Sequence, residues 1–266
     1  MNRRNKDNAG AVVGGLLMLL LMAVLTSHSS AQSNPQLLFD RANEKLQAGQ
    51  YQEALADYKK LVTGREVSGS LFLNMAISYV ELDSLGMAKY YFLKARQFEE
   101  TEERAEAGLE FVNSQFARQS AVLPKLPWEQ AVNWLGEQIG SAALLGIGIF
   151  LLNAGIIGYV ITWFIPYREK LIRITGLSTA ILGLLIVLTS FYVHYVDQRY
   201  SRAVMVHREA AVMEKPASEG PVISRAYEGY TFTIDHKRSG NEAGWCYIRM
   251  SNGVYGWIRK DDIRIL

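Results

Sequence analysis

The sequence predicts a multidomain membrane protein in which an all-α module, a two-helix membrane hairpin and a small all-β module follow one another. Three observations support this fold class. A period of 34 residues runs through 35–119, two apolar stretches without Asp, Glu, Lys or Arg occupy 139–165 and 174–196, and a two-residue alternation of apolar and polar side chains begins after Arg202. We therefore expect two soluble modules that flank a pair of membrane helices.

The first 31 residues have the layout of a secretory signal peptide. A basic start that includes Arg3 and Arg4 precedes an apolar core at 11–25, and small polar residues follow up to Ala31. The alternative is an uncleaved anchor helix, although the apolar core is shorter than the ~20 residues that a span needs. Both interpretations export the chain that follows.

The charge balance and the rare residue types exclude several function classes. Lys and Arg number 28 against 26 Asp and Glu, and without residues 1–31 the chain is formally neutral. No Lys/Arg cluster supplies the basic face that nucleic-acid binding requires. Cys246 is the only cysteine, so no intramolecular disulfide can form, and we expect it to be a small strand-packing residue.

The search for catalytic motifs predicts that the protein is not an enzyme. The four histidines are scattered, and there is no ligand-spaced Cys/His group, no nucleophile elbow and no phosphate-binding loop. We expect no metal and no cofactor.

Residues 35–119 contain two copies of a helical pattern. Residues of matching type lie 34 positions apart: Ala42 and Ala76, Ala54 and Ala88, Tyr58 and Phe92, Leu61 and Ala95. Together with Gly49 and Tyr51 they resemble the tetratricopeptide repeat, although neither copy has the closing proline and the first has Lys45 where the second has Tyr79. The alternative is a chance spacing of alanines in an ordinary helical hairpin.

A third amphipathic segment follows the two copies and is expected to cap them. Its apolar positions fall on one helical face: Ala105, Leu109, Val112 and Phe116. The resemblance implies a tetratricopeptide-like solenoid whose inner helices line a protein-binding groove. Its candidate lining residues are Phe39, Asn43, Gln47, Leu73, Ile77 and Glu81. The mixed, partly apolar lining favours a peptide or helix of a partner; the alternative is that these side chains only coat a short solenoid.

The two apolar stretches are each long enough to cross ~30 Å of hydrocarbon, and aromatic residues flank both. We predict an interfacial linker at 120–138, transmembrane helices at 139–165 and 174–196, and a basic cytoplasmic loop at 166–173.

Small residues inside the two apolar stretches predict close helix packing, either within the hairpin or on a partner. Ala154 with Gly158 and Thr179 with Gly183 have the spacing that permits close packing. Asn153 is expected to act as packing glue, and the absence of charged side chains from both spans argues against a channel or transporter.

Residues 204–266 alternate in short runs separated by turn formers, of which Asn252-Gly253 is the strongest hairpin signal. About five short strands would form a small closed barrel. Glu228-Gly229 and Gly256-Trp257-Ile258 resemble the bacterial SH3-like domain, which implies binding of peptides or cell-wall fragments. We expect Trp257 in the core, and the surface candidates are Trp245, Tyr247 and Tyr255.

The order of these segments resembles the BatE-type proteins of the aerotolerance operon. The resemblance implies partners among von Willebrand A-type membrane proteins and a MoxR-type ATPase system, in an envelope complex linked to stress or oxygen tolerance. We therefore expect a non-catalytic multi-pass scaffold of the bacterial inner membrane, with both soluble modules in the periplasm and the lipid bilayer as its support. The alternative is a cell-wall sensor whose SH3-like domain binds peptidoglycan and signals to a membrane partner.

Overall fold

A computed structural model describes residues 35–118, 121, 123–124, 127–164, 169–240 and 242–266. The predicted signal peptide at 1–31 and residues 166–168 of the predicted loop lie outside the described residues. Within them, the chain forms an N-terminal helical module, a pair of long apolar helices and a C-terminal antiparallel sheet.

The helical module contains five α-helices joined by short turns. They are α1 (Pro35–Gln47), α2 (Tyr51–Thr63), α3 (Gly69–Glu81), α4 (Leu85–Ala95) and α5 (Glu102–Gln115), with a short 3₁₀ helix at Glu99–Thr101. The turns after α1 and α3 each contain a residue in the left-handed backbone conformation, and the two positions are 34 residues apart: Gly49 (φ 76°) and Asp83 (φ 53°). The period in the sequence thus corresponds to a repeated helix–turn–helix unit.

The two copies fill one equivalent position in different ways. In the first copy, Lys45 donates a hydrogen bond of 2.9 Å to the buried Asp57 carboxylate. In the second, the residues 34 positions further on are Tyr79 and Tyr91, whose rings stack with centroids 5.4 Å apart. The first copy therefore differs from the second at both members of this contact, and the Lys45–Asp57 ion pair replaces the Tyr79–Tyr91 aromatic pair.

Three further helices follow: α6 (Pro127–Gln138), α7 (Ser141–Ile161) and α8 (Glu169–Arg199). By length and composition, α7 and α8 could each cross a membrane. Because α8 begins at Glu169, residues 169–173 of the predicted loop belong to a helix. Part of the predicted interfacial linker is also helical, since α6 packs beside the last turns of α8.

Glycines seven residues apart form the contact between α7 and α8. The buried positions are Gly148 and Gly155 on α7, and Gly176 and Gly183 on α8. A methyl group at Gly155 would lie 2.6 Å from the Gly176 carbonyl oxygen. The predicted close packing is found at Gly183, which meets the backbone of α7, whereas Ala154 is exposed and takes no part in the contact between α7 and α8.

The C-terminal module is one antiparallel sheet of seven strands. They are β1 (Tyr200–Met205), β2 (Glu209–Met213), β3 (Val222–Tyr227), β4 (Thr231–Asp235), β5 (Trp245–Met250), β6 (Tyr255–Arg259) and β7 (Ile263–Ile265), with a helical turn α9 (His236–Ser239) after β4 and a 3₁₀ turn at Lys260–Asp262. The strand order is β3-β2-β6-β5-β4-β1-β7. In the described residues, β3 and β7 are edge strands, so the ladder is not the closed ring that we expected. All seven strands contribute to a single core, which includes Met205, Ile234 and Ile258.

The long helix α8 continues into the sheet without a connecting loop. Arg199 is the last residue of α8 and Tyr200 the first of β1. Arg199 forms a salt bridge of 2.8 Å with Asp235 at the end of β4. The junction is therefore fixed by a charged pair as well as by the chain.

The helical module docks on the far end of the sheet. The Gly86 amide donates a 2.7 Å hydrogen bond to Glu228 Oε1, and Lys89 Nζ donates one of 2.7 Å to the Gly229 carbonyl oxygen. Val204 and Leu266 of the sheet join the core of the helical module. Phe116, expected on the capping helix, follows the end of α5 at Gln115 and packs its ring on Gly229.

Candidate interaction surfaces

The predicted groove lies where α1 and α3 run side by side. Asn43 Oδ1 on α1 accepts hydrogen bonds from the Tyr58 hydroxyl (2.7 Å) and from Asn74 Nδ2 on α3 (2.9 Å). Asn74 did not stand out in the sequence, because its partner lies 31 residues away. Asn43 therefore holds the two lining helices together, and its carbonyl oxygen is already bonded within the chain.

The other groove candidates differ in how far a partner could reach them. Gln47 and Glu81 are exposed at one end of the groove, whereas Phe39 and Ile77 are half-buried. Leu73 is only 2% exposed, so it belongs to the core and supports the groove from below. This corrects the prediction that Leu73 lines an open surface, and it leaves a narrow strip with a polar end.

Tyr51 lies at the polar end of this strip. Desolvation, the charge of Glu81 and a hydrogen bond to Glu81 together raise the pKa of the Tyr51 phenol. Tyr51 at the start of α2 therefore lies beside Glu81 at the end of α3.

A cleft of about 560 Å³ separates the two modules beside their contact. Its lining residues come from α4, α5 and β4: Lys89, Leu93, Arg96, Glu106, Leu109, Glu110, Asn113, Ser114 and Thr231. Burial lowers the pKa of Lys89 to about 8. The charged side chains of the cleft have both signs, and Arg96 lies 3.7 Å from Glu106, so the cleft has no dominant charge that would select one ligand class.

The outward side of the β5–β6 hairpin carries four aromatic rings and two arginines, which we call the arginine–aromatic face. Three cross-strand pairs make it up: Trp245 with Arg259, Tyr247 with Trp257, and Arg249 with Tyr255. The Tyr247 ring centroid lies 5.3 Å from that of Trp257 and 6.2 Å from that of Tyr255. Cross-strand pairs of this kind stabilise a sheet and also offer flat rings to a ligand.

Among the surface candidates, Tyr255 is the most open at 49% exposed, while Trp245 and Tyr247 are half-buried. Trp257 was expected in the core, but it is half-buried and shares the outward side with Tyr247, while Cys246, Ile248 and Ile258 point inward. Strict alternation along β6 could have placed Trp257 here, since Gly256 and Ile258 are its inward neighbours.

A third arginine joins the face from outside the hairpin. The Arg238 guanidinium lies 4.2 Å from the Tyr247 ring centroid, and its Nη1 donates a 2.7 Å hydrogen bond to the Tyr247 hydroxyl. Arg238 belongs to α9, which the sequence did not reveal as a neighbour of β5.

Among the residues that the structure describes, no group of three His, Cys, Asp or Glu side chains could hold a metal ion. Cys246 is buried, and desolvation raises the pKa of its thiol. No family model matches the chain, and no curated protein matches it.

Proposed function

We propose that this chain is a non-catalytic scaffold of the bacterial inner membrane, of the BatE type, in which a tetratricopeptide-like module and an SH3-like module are held together on one side of the bilayer. The proposal rests on one observation: α8 continues directly into β1 of the sheet, and the helical module contacts the other end of that sheet. The Arg199–Asp235 salt bridge and the Glu228–Gly86 hydrogen bond mark its two junctions. Such a path presents the groove at a fixed height and orientation, as a scaffold requires.

The side of the membrane follows from two sequence features. A signal-like segment at 1–31 would export the chain, and Arg168, Lys170 and Arg173 between the spans favour a cytoplasmic loop. Both modules would then be periplasmic.

Reporter fusions test this topology. Alkaline phosphatase fused after Arg118 and after Leu266 is expected to be active, and a fusion after Lys170 inactive. The opposite pattern would place both modules in the cytoplasm and would remove the periplasmic part of the proposal.

The partner expected in the groove is a peptide or helix of a von Willebrand A-type membrane protein, and a MoxR-type ATPase system would act in the same complex. The half-buried Phe39 and Ile77 could receive an apolar side chain of the partner, and the exposed Gln47 and Glu81 could bind polar groups at one end of the strip.

Photo-cross-linking in intact cells tests the partner. A photoreactive amino acid at Gln47 should give an adduct that contains a von Willebrand A-type protein. The matched control is the exposed Gln52 on α2. Equal adducts from both positions, or adducts without such a protein, would count against the groove.

A second candidate function, the cell-wall sensor, is favoured by the arginine–aromatic face. Exposed rings such as Tyr255 suit stacking on sugars, and Arg249 suits the carboxylates of wall peptides. In this case the full chain in detergent should co-sediment with purified sacculi, and Tyr255→Ala should weaken this. Phe111→Ala removes an equally exposed ring from α5 and is the control. A pure scaffold would not co-sediment.

A further inference from the structure

The end of the sheet that receives α8 lies at the depth of lipid headgroups if α8 spans a bilayer. The residues of α8 without Asp, Glu, Lys or Arg end at Val196, and Arg199 follows three residues later, which is about 4.5 Å along a helix. The polar layers add about 5–8 Å to each side of the hydrocarbon. Tyr192 and Tyr195, both exposed, precede this level as interfacial aromatics do.

The helical turn α9 lies at this same end. It follows Asp235, which pairs with Tyr200 in the β1–β4 ladder, and it packs against α8. Strand β5 begins here as well, because Ile248 pairs with Ile234 and residues 245 and 246 extend past the end of β4. Arg259 lies across from Trp245 and so shares the level.

Three exposed cations gather at this end, which we call the basic rim: Lys237, Arg238 and Arg259. Trp245 and Tyr247 lie between them, with the Arg259 guanidinium 5.8 Å from the Trp245 ring and Arg238 on Tyr247. The nearest acidic group, Asp235, is already bound by Arg199. Burial would raise the pKa of Asp235, but the salt bridge with Arg199 and the hydrogen bond from the Arg238 amide hold this pKa below its usual range. The exposed acids near the rim include Glu242, Asp261 and Asp197, which lies in the last turn of α8.

We propose that the basic rim binds the phosphate groups of anionic phospholipids in the bilayer that α8 crosses. The inference rests on the proposed membrane insertion. Lys and Arg beside a bilayer attract anionic lipids, arginine binds phosphate with two parallel hydrogen bonds, and Trp and Tyr favour the headgroup layer. Bound lipids would hold the β module against the membrane and stabilise the direction of the helical module above it.

The test measures lipid enrichment beside the rim. A donor dye on Ala243→Cys, an exposed position two residues before Trp245, reports on the rim, since the native Cys246 is only 5% exposed and labels poorly. The full chain is placed in nanodiscs of phosphatidylcholine and phosphatidylglycerol. A trace of acyl-labelled phosphatidylglycerol or acyl-labelled phosphatidylcholine serves as the energy-transfer acceptor.

The expected result is stronger transfer to labelled phosphatidylglycerol than to labelled phosphatidylcholine. The enrichment should fall by about fivefold for each basic side chain removed. Lys237→Gln, Arg238→Gln and Arg259→Gln combined should equalise the two lipids, as should raising the salt from about 0.1 M to about 1 M. The control removes Arg65, Arg104 and Arg208, equally exposed cations of the opposite end and the helical module, and should change nothing.

Equal transfer to both lipids in the unmodified chain would overturn the proposal. A rim triple variant that keeps the lipid preference would also overturn it, and so would a triple variant that keeps the lipid preference but loses sacculus binding. The membrane premise is checked separately: a chain that carbonate extracts from vesicles would refute the insertion itself, whereas an inserted chain without lipid preference refutes only the rim.

Discussion

Asp57 shows how a single buried charge can be stabilised in the helical module. Its side chain is 2% exposed, and Arg41, Lys45 and Lys60 all bind it at 2.7–3.0 Å. Burial alone would raise the pKa of this carboxyl, but the hydrogen bonds from Lys60, Lys45 and Arg41 outweigh burial and hold the pKa far below its usual range. One carboxylate thus joins α1 to α2 and is shared by three cations.

The substitution Asp57→Asn should lower the free energy of unfolding by about 3 kcal/mol, because it removes the charge that these cations share and leaves Lys45 partly buried without it. Urea unfolding of the purified chain in detergent, followed by circular dichroism, measures the change. Asp40→Asn is the control, since Asp40 is exposed and accepts a hydrogen bond from Gln36 four residues away. A loss as small as that of the control would show that the network contributes little.

The same carboxylate should make the helical module sensitive to acid. Because the folded pKa is depressed, the unfolded state binds the extra proton first, and stability present above about pH 4 is lost as the pH falls below it. Asp57→Asn should therefore flatten the pH dependence of the unfolding midpoint between about pH 4 and about pH 2. Parallel curves for the variant and the unmodified chain would contradict this assignment.

At the scale of elements, periodic patterns predicted more than single motifs did. The 34-residue period located the helix–turn–helix units, because a repeated core needs repeated small and aromatic residues. Apolar length predicted the two long helices. The contact between α7 and α8 was predicted less well. A four-residue spacing indicated Ala154 and Gly158 as packing positions, while the contact uses Gly148 and Gly155, seven residues apart.

Two glycine substitutions in α7 test the importance of this contact. Gly155→Val should destabilise the hairpin by about 1–3 kcal/mol or more, since the new side chain would meet the backbone of α8. Gly146→Val places the same side chain in open space on the same helix, where no atom lies within 4 Å. Thermal unfolding in nanodiscs should separate the two variants. Equal melting temperatures would mean that the close glycine contact is not required.

The arginine–aromatic face marks the limit of sequence reasoning about the sites. Trp245, Tyr247 and Tyr255 were candidates, but Arg238 was not, because a helical turn between β4 and β5 brings it to Tyr247. In the groove, the sequence predicted Asn43 as a partner-binding residue, but its side-chain oxygen accepts a hydrogen bond from Asn74. Sequence patterns indicate which face of an element a side chain occupies, but they do not show which other side chain is hydrogen-bonded to it.

The least predictable feature of the fold is the contact between the helical module and the β module. Glu228 meets Gly86 across 142 residues of sequence, and neither residue belongs to a periodic pattern that would pair them. Only the fold of the intervening hairpin brings them together. This contact decides whether the groove moves freely on a linker or stays fixed relative to the β module.

Gly86→Val should release the helical module from the β module. A Cβ at Gly86 would lie 2.6 Å from the Met205 carbonyl oxygen and 2.8 Å from the Val206 Cα, so the two surfaces would have to separate. Because both modules keep their own cores, each should stay folded, and the loss should appear as mobility between them.

Hydrogen–deuterium exchange of the full chain in nanodiscs measures this release. Faster exchange is expected at the Gly86 amide and around Glu228 and Gly229, with little change at the buried core of β5. Ala56→Val, on an exposed face of α2, adds a β-branched residue to the same module and should leave the contact protected. If Gly86→Val also left it protected, the docked arrangement would not depend on this close approach, and a fixed groove would need another support.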